Sequence, residues 1–149
     1  MGDLEKLEFQ SEIRASAERV YDIFKRKMYL MPTICPQVVK DVKLVRGDWE
    51  TPGSVRAWKY VAGNSESGRE TIEAVDDQNM TITFDALDGD FTKYYKTIKA
   101  KIRVIAKGKK SVAKWSLIYE KVNSSIPDPD RYLDVVSMFN EAVDAYLHN

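Results

Sequence analysis

Five side chains in the middle of the chain can do acid or base chemistry: Glu70, Asp88, Tyr94, Tyr95 and Tyr119. A carboxylate or phenol moves a proton in an isomerisation or condensation when its surroundings bring its pKa toward the working pH. At strand ends and on sheets the same residues ordinarily meet solvent or pack. Other chemistries fail on residue count. One cysteine, Cys35, excludes an intrachain disulfide, and one histidine, His148, leaves no Cys and His set for zinc. A Ser or Cys triad would need His148 as its base from the chain terminus. No metal and no cofactor is expected.

A second group suggests binding. Arg56, Trp58 and Tyr60 alternate with Val55, Ala57, Lys59 and Val61, so a strand would put the first three on one face. Trp and Tyr each offer an apolar body with one polar handle, and Arg can meet a carbonyl or carboxylate, which suits an amphipathic pocket wall. An outward, half-exposed face also carries such residues, and parity alone leaves both placements open.

The surrounding elements follow from periodicity. Leu7, Phe9, Ser11 and Ile13 alternate with Glu8, Gln10, Glu12 and Arg14, the pattern of a first strand with one buried face. Ser16 caps a helix whose stripe is Ala17, Val20, Tyr21 and Phe24, with Glu18, Arg19, Asp22 and Lys25 toward water. A second short helix is expected from Lys27 to Ile34, ending at Pro36. From Val39 to Val122 the chain reads as six strands with short turns, an antiparallel meander in which Met80, Ile82 and Phe84, and then Ile98, Ala100, Ile102 and Val104, mark covered faces. Asp128 as cap and Pro129 in the first turn open a last helix that reaches toward Asn149, its broad apolar face running from Tyr132 through Phe139 and Val143 to Tyr146.

Composition bounds the whole. At 149 residues, with 44% hydrophobic and 31% charged, one domain spanning residues 1–149 is expected to fold alone around a single core. Lys and Arg total 23, as do Asp and Glu, so no field favours nucleic acid or an anionic membrane, and Lys107, Lys109 and Lys110 read as a solvated hairpin tip. With no apolar run of signal or membrane-spanning length, the expectation is a soluble cytoplasmic protein with no membrane insertion.

Several motifs then occur in one order: Gly47-Asp48-Trp49, Pro52-Gly53-Ser54, Trp58-Lys59-Tyr60-Val61, Ile72-Glu73-Ala74-Val75-Asp76, Asp88-Gly89-Asp90 and Lys114 through Lys121. Together they resemble the major latex proteins, a plant branch of the birch-pollen-allergen (Bet v 1-like) and class-ten pathogenesis-related superfamily. The resemblance implies an α+β helix-grip fold: a seven-stranded curved antiparallel sheet around a long C-terminal helix, two short helices after strand one, and a hydrophobic pocket between. It implies that Phe24, Arg56, Trp58, Tyr60, Ile82, Phe84, Ile98 and Ile102 line the pocket, with Phe139 and Val143 on the helix's inner face. The implied function is binding or carrying small hydrophobic or amphipathic metabolites, steroid-like, phenolic or hormone-like, in defence or stress. The alternative is a cofactor-independent pocket enzyme.

Departures from the superfamily narrow that alternative. Arg46 to Gly53 holds two glycines and two acids, a poor phosphate cradle. Glu70 matches one catalytic carboxylate of the related norcoclaurine synthases, which makes it the catalytic candidate. Gly68 stands where those enzymes have a tyrosine and Ile82 near their lysine, so their mechanism does not carry over.

Overall fold

The computed structural model describes residues 3–148. Strand β1 (Glu5–Ile13) leads into α1 (Ala17–Arg26), a 3-10 turn (Met28–Leu30) and α2 (Met31–Ile34). Strands β2 (Val39–Arg46), β3 (Val55–Ala62), β4 (Asn64–Asp76), β5 (Thr81–Gly89), β6 (Tyr95–Lys107) and β7 (Lys110–Lys121) follow, and α3 (Asp130–His148) closes the chain. One curved seven-stranded sheet forms in the order β1-β7-β6-β5-β4-β3-β2, every neighbour antiparallel. The short turns impose the meander, and β1 alone crosses to pair with β7.

The alternations read from sequence hold. Along β6, Ile98, Ile102 and Val104 are buried while Thr97, Lys101 and Arg103 are exposed, and on β5 Ile82 and Phe84 are buried. Ser16 caps α1, its hydroxyl accepting from the Arg19 amide. Lys25 departs from expectation: its ammonium donates to Asp77 at 2.8 Å, beside the Tyr21 hydroxyl, so the side chain is packed down. The expected second helix divides into the 3-10 turn and α2, with Pro32 in the first turn of α2.

The last helix begins two residues after Asp128. The Pro129 carbonyl accepts from the Leu133 amide, and the Asp128 carboxylate instead accepts from the Tyr119 hydroxyl and pairs with Lys121. Tyr146 is exposed, and the expected reach to Asn149 lies outside the described residues. One buried polar residue ties α3 to the sheet. Asn140 accepts from Trp115 Nε1 at 2.8 Å and donates to the Ala113 carbonyl and the Ser11 hydroxyl, both at 3.0 Å. The core lies between α1, α2, α3 and the concave face of the sheet. No described helix is long and apolar enough to cross a membrane, and no metal-binding cluster exists among the described residues.

Candidate ligand pocket

Between the sheet and the N-terminal half of α3, packing leaves a cavity of about 170 Å³. Strands β3 to β7 supply its floor, with Trp58, Tyr60, Phe84, Ile98 and Leu117 among the wall residues, and Tyr132, Val135, Val136 and Phe139 of α3 form its roof. Met28 comes from the 3-10 turn before α2, and Phe91 from a second 3-10 turn (Asp90–Lys93) between β5 and β6. The wall is mostly hydrocarbon, as small-molecule sites usually are.

Register determines which polar groups reach it. Across β3 and β4, Arg56 faces Glu70, Trp58 faces Gly68 and Tyr60 faces Glu66, so two carboxylates stand on the concave side with a glycine between them. Gly68 in turn meets Gly89 of β5. A Cβ on Gly89 would lie 2.4 Å from the Ser67 carbonyl, so the backbones touch here only because neither residue has a side chain. Phe84, Ala86 and Asp88 keep the period of two along β5, so Ala86 and Asp88 reach the cavity wall while Leu87 points outward, and a bulge at Leu87 shifts their register against Arg69 and Glu70.

Arg56 has no exposure at all. Its Nη2 donates to Glu70 Oε1 at 2.5 Å, and its guanidinium carbon lies 5.2 Å from the Phe84 ring centre and 5.8 Å from those of Trp49 and Trp58. Nε and Nη1 find no acceptor, nor does Trp58 Nε1. The aromatic faces take the place of acceptors for the guanidinium. Arg56 therefore stands behind the wall, and Glu70, 22% exposed, is the member of the pair at the cavity.

At the opposite end of the wall, buried Glu66 accepts from the hydroxyls of Tyr60 at 2.9 Å and Tyr132 at 2.7 Å, and from Arg131 at 3.1 Å. Burial, reinforced by the Glu66 charge, holds both phenols well above the ordinary tyrosine range. Arg131 also donates to the Ala62 carbonyl, so this cluster fastens the start of α3 to the β3–β4 hairpin.

The expected pocket residues divide. Trp58, Tyr60, Phe84, Ile98 and Phe139 line the cavity, as does Glu70. Phe24, Ile82, Ile102 and Val143 lie in the packed core behind it, as Arg56 does. Of the other acid-base candidates, Asp88 sits at the cavity rim, its carboxyl held low by the Arg69 guanidinium. Tyr95 and Tyr119 belong to a separate cluster with Phe91 and Ile98, where burial pushes Tyr95 up to about 12 and Tyr119 higher still, and Tyr94 packs against it. Sequence reasoning did not single out Glu66, Ala86 or Asn140, and it named Gly68 only as a departure from the synthase pattern. The register that opposes Tyr60 to Glu66, the bulge at Leu87 and the hydrogen bond across to Trp115 are all tertiary.

A groove between β1 and α3 holds Glu12, Glu141 and Asp144, but Glu12 is paired with Lys107 and Lys110 and Asp144 with Arg14.

Residues 4–149 match the model of the pathogenesis-related protein Bet v 1 family. The chain belongs to the Bet v 1 family. Within it, MLP-like protein 34 of Arabidopsis thaliana is 36% identical over 96% of this chain, and MLP-like protein 31 of the same plant is 33% identical over 97% of this chain and 86% of its own length. The chain spans about half the length of MLP-like protein 34, 46%. A crystal structure of ginseng major latex-like protein 151 superposes with a TM-score of 0.91 at 29% identity, covering 96% of this chain and 97% of the other. The sheet and the three helices are thus this Bet v 1 chain's version of a shared architecture, on the major-latex-protein branch.

Proposed function

We propose that the chain is one ligand-binding domain that takes up and carries small hydrophobic or amphipathic molecules in the cavity beneath α3. The observation that carries this reading is the cavity itself, an apolar-walled space of about 170 Å³ between the sheet and α3. Left dry, such a void would cost about 4 kcal/mol at about 24 cal/mol per Å³, so an occupant that covers the wall restores stability. Covering about 200 Å² of apolar ligand surface offers about 5 kcal/mol before ordering costs, which favours micromolar affinity and broad selectivity. Trp58, Tyr60, Phe84, Ile98 and Phe139 would touch the ligand, and Phe24, Arg56, Ile82, Ile102 and Val143 would hold that wall in place. A steroid-like, phenolic or hormone-like cargo in defence or stress accords with the family's description as pathogenesis-related. A lone buried thiol, Cys35, suits the reducing cytoplasm as its compartment.

The second reading, a cofactor-independent enzyme, rests on the Glu70 carboxylate at the cavity wall. Against it, the shifts at Asp88, Tyr95 and Tyr119 all lead away from neutrality, the wrong direction for proton transfer near pH 7. Tryptophan fluorescence separates bound from free, because Trp58 and Trp115 both line the cavity. Titration with naphthalene is expected to quench saturably, and Trp58→Phe to remove part of the signal with little change in affinity. Absence of saturable binding by any apolar probe would refute the carrier. A compound turned over by the native chain but not by Glu70→Gln would make it an enzyme.

A further inference from the structure

The cavity's polar groups are nearly all committed to one another. The Tyr60 and Tyr132 hydroxyls donate hydrogen bonds to Glu66, and Arg69 forks onto Asp88 at the rim. Arg56 is sealed behind Phe84, Trp58 and Trp49, and its charge reaches the cavity only through Glu70. Trp58 Nε1 also lacks a partner but is itself fully buried, so Glu70 is the exception that presents an unpaired polar atom at the cavity. Its Oε1 accepts from Arg56, while Oε2 accepts from no described residue and belongs to a side chain that lines the cavity. Resting on the carrier reading, we propose that Glu70 is the specificity-determining acceptor of the pocket, selecting neutral molecules that carry a hydroxyl on an apolar ring system and rejecting carboxylates.

The selection follows from charge order. The Arg56–Glu70 pair is neutral as a whole, but its negative end faces the ligand. A ligand carboxylate would leave water for an apolar cavity and meet Glu70 first, losing hydration and gaining repulsion. An ammonium could donate to Oε2, but it would also be desolvated and would sit a few ångströms from the Arg56 charge. An alcohol or phenol gives up far less hydration and donates one proton to a carboxylate, a charge-assisted bond stronger than a neutral one. Had the guanidinium faced the cavity, the preference would be the reverse.

Four probes on one ring system test this at pH 7 by calorimetry: naphthalene, 2-naphthol, 2-naphthoate and 2-naphthylmethylammonium. For the native chain, 2-naphthol should bind at least tenfold more tightly than 2-naphthoate and more tightly than both others. In Glu70→Gln, which keeps the side-chain shape and leaves Arg56 without its counter-charge, the naphthol-to-naphthoate affinity ratio should fall at least tenfold while naphthalene affinity stays within threefold. Naphthoate binding as tightly as naphthol to the native chain would overturn the proposal, as would an unchanged ratio in Glu70→Gln. The native series decides the point even where the variant fails to fold. Failure of naphthalene and all three analogues to bind would overturn the carrier reading itself, whereas tight naphthalene binding without discrimination would overturn only the role of Glu70.

Discussion

At Arg56 three aromatic rings and one carboxylate surround a guanidinium that has no exposure. A buried charge of this kind is kept by its partners, and removing one partner strands the other. Arg56→Met should therefore lower stability by about 2–3 kcal/mol, toward the low end for a broken buried pair because Glu70 retains some access to water. Adding Glu70→Gln to that variant should recover part of the loss, and urea unfolding of the two singles and the double measures the coupling. Equal, additive losses would show that the pair is not a unit. Asn140, 1% exposed, is the second such residue, since Trp115 Nε1 and the Ala113 carbonyl depend on its amide. Asn140→Leu should cost about 2–3 kcal/mol because two buried polar groups lose partners. A loss no larger than a few tenths would mean that water replaces them. Neither site was legible at this level. The alternation of Arg56, Trp58 and Tyr60 gave their common face, but which atom of the pair meets the cavity depends on the β3–β4 register and on how the loop between β2 and β3 folds Trp49 back onto Arg56.

The elements themselves were readable because each carries its own periodicity. β1, β5 and β6 alternate with a period of two, α1 has its stripe and its Ser16 cap, and the turns carry glycine, aspartate or asparagine. What periodicity misses are the bulges. The one between Ile72 and Ala74 changes the inward parity within β4, and the start of α3 moved because Lys121 and Tyr119 claim the Asp128 carboxylate. The far half of α3 is held by another carboxylate. Asp144 accepts from the Arg14 amide at 2.7 Å and from its guanidinium at 2.8 Å, and that hydrogen bonding holds the carboxyl below its usual range. A lowered folded pKa means stability that is present above the unfolded value, about 3.9, and is lost as pH falls through the folded value. Asp144→Asn should cost about 1 kcal/mol at pH 7 for a partly exposed pair, and the gap in melting temperature between the two chains should close as pH falls from about 5 toward 3. A gap independent of pH would assign the loss to helix packing instead.

On the scale of the whole molecule, α3 packs on the sheet except over the cavity and along the β1 groove, and on the carrier reading the cavity is a stability cost kept for binding. Sequence could place a concave sheet beneath an amphipathic helix, but it could not say whether side chains fill the space between, since that depends on volumes summed over five strands and a helix. The small residues that leave it open are identifiable in the structure: Gly68, Ala86 and Ala100 face the cavity where larger residues would close it. Ala100 sits in the middle of β6, opposite Phe84 on β5 and Leu117 on β7. Ala100→Leu places hydrocarbon in the void and should raise stability by about 1 kcal/mol, roughly 2–4 °C in melting temperature for a chain of this size. The same change should weaken naphthalene binding at least tenfold. A ligand at 100 times its dissociation constant stabilises the native chain by about 2.7 kcal/mol, so its melting temperature should climb on titration while that of Ala100→Leu starts higher and stays flat. If the variant instead melts lower, Leu overpacks the site and the cavity is smaller than the geometry indicates. If it melts higher yet still shifts fully with ligand, the molecule binds somewhere other than beneath α3.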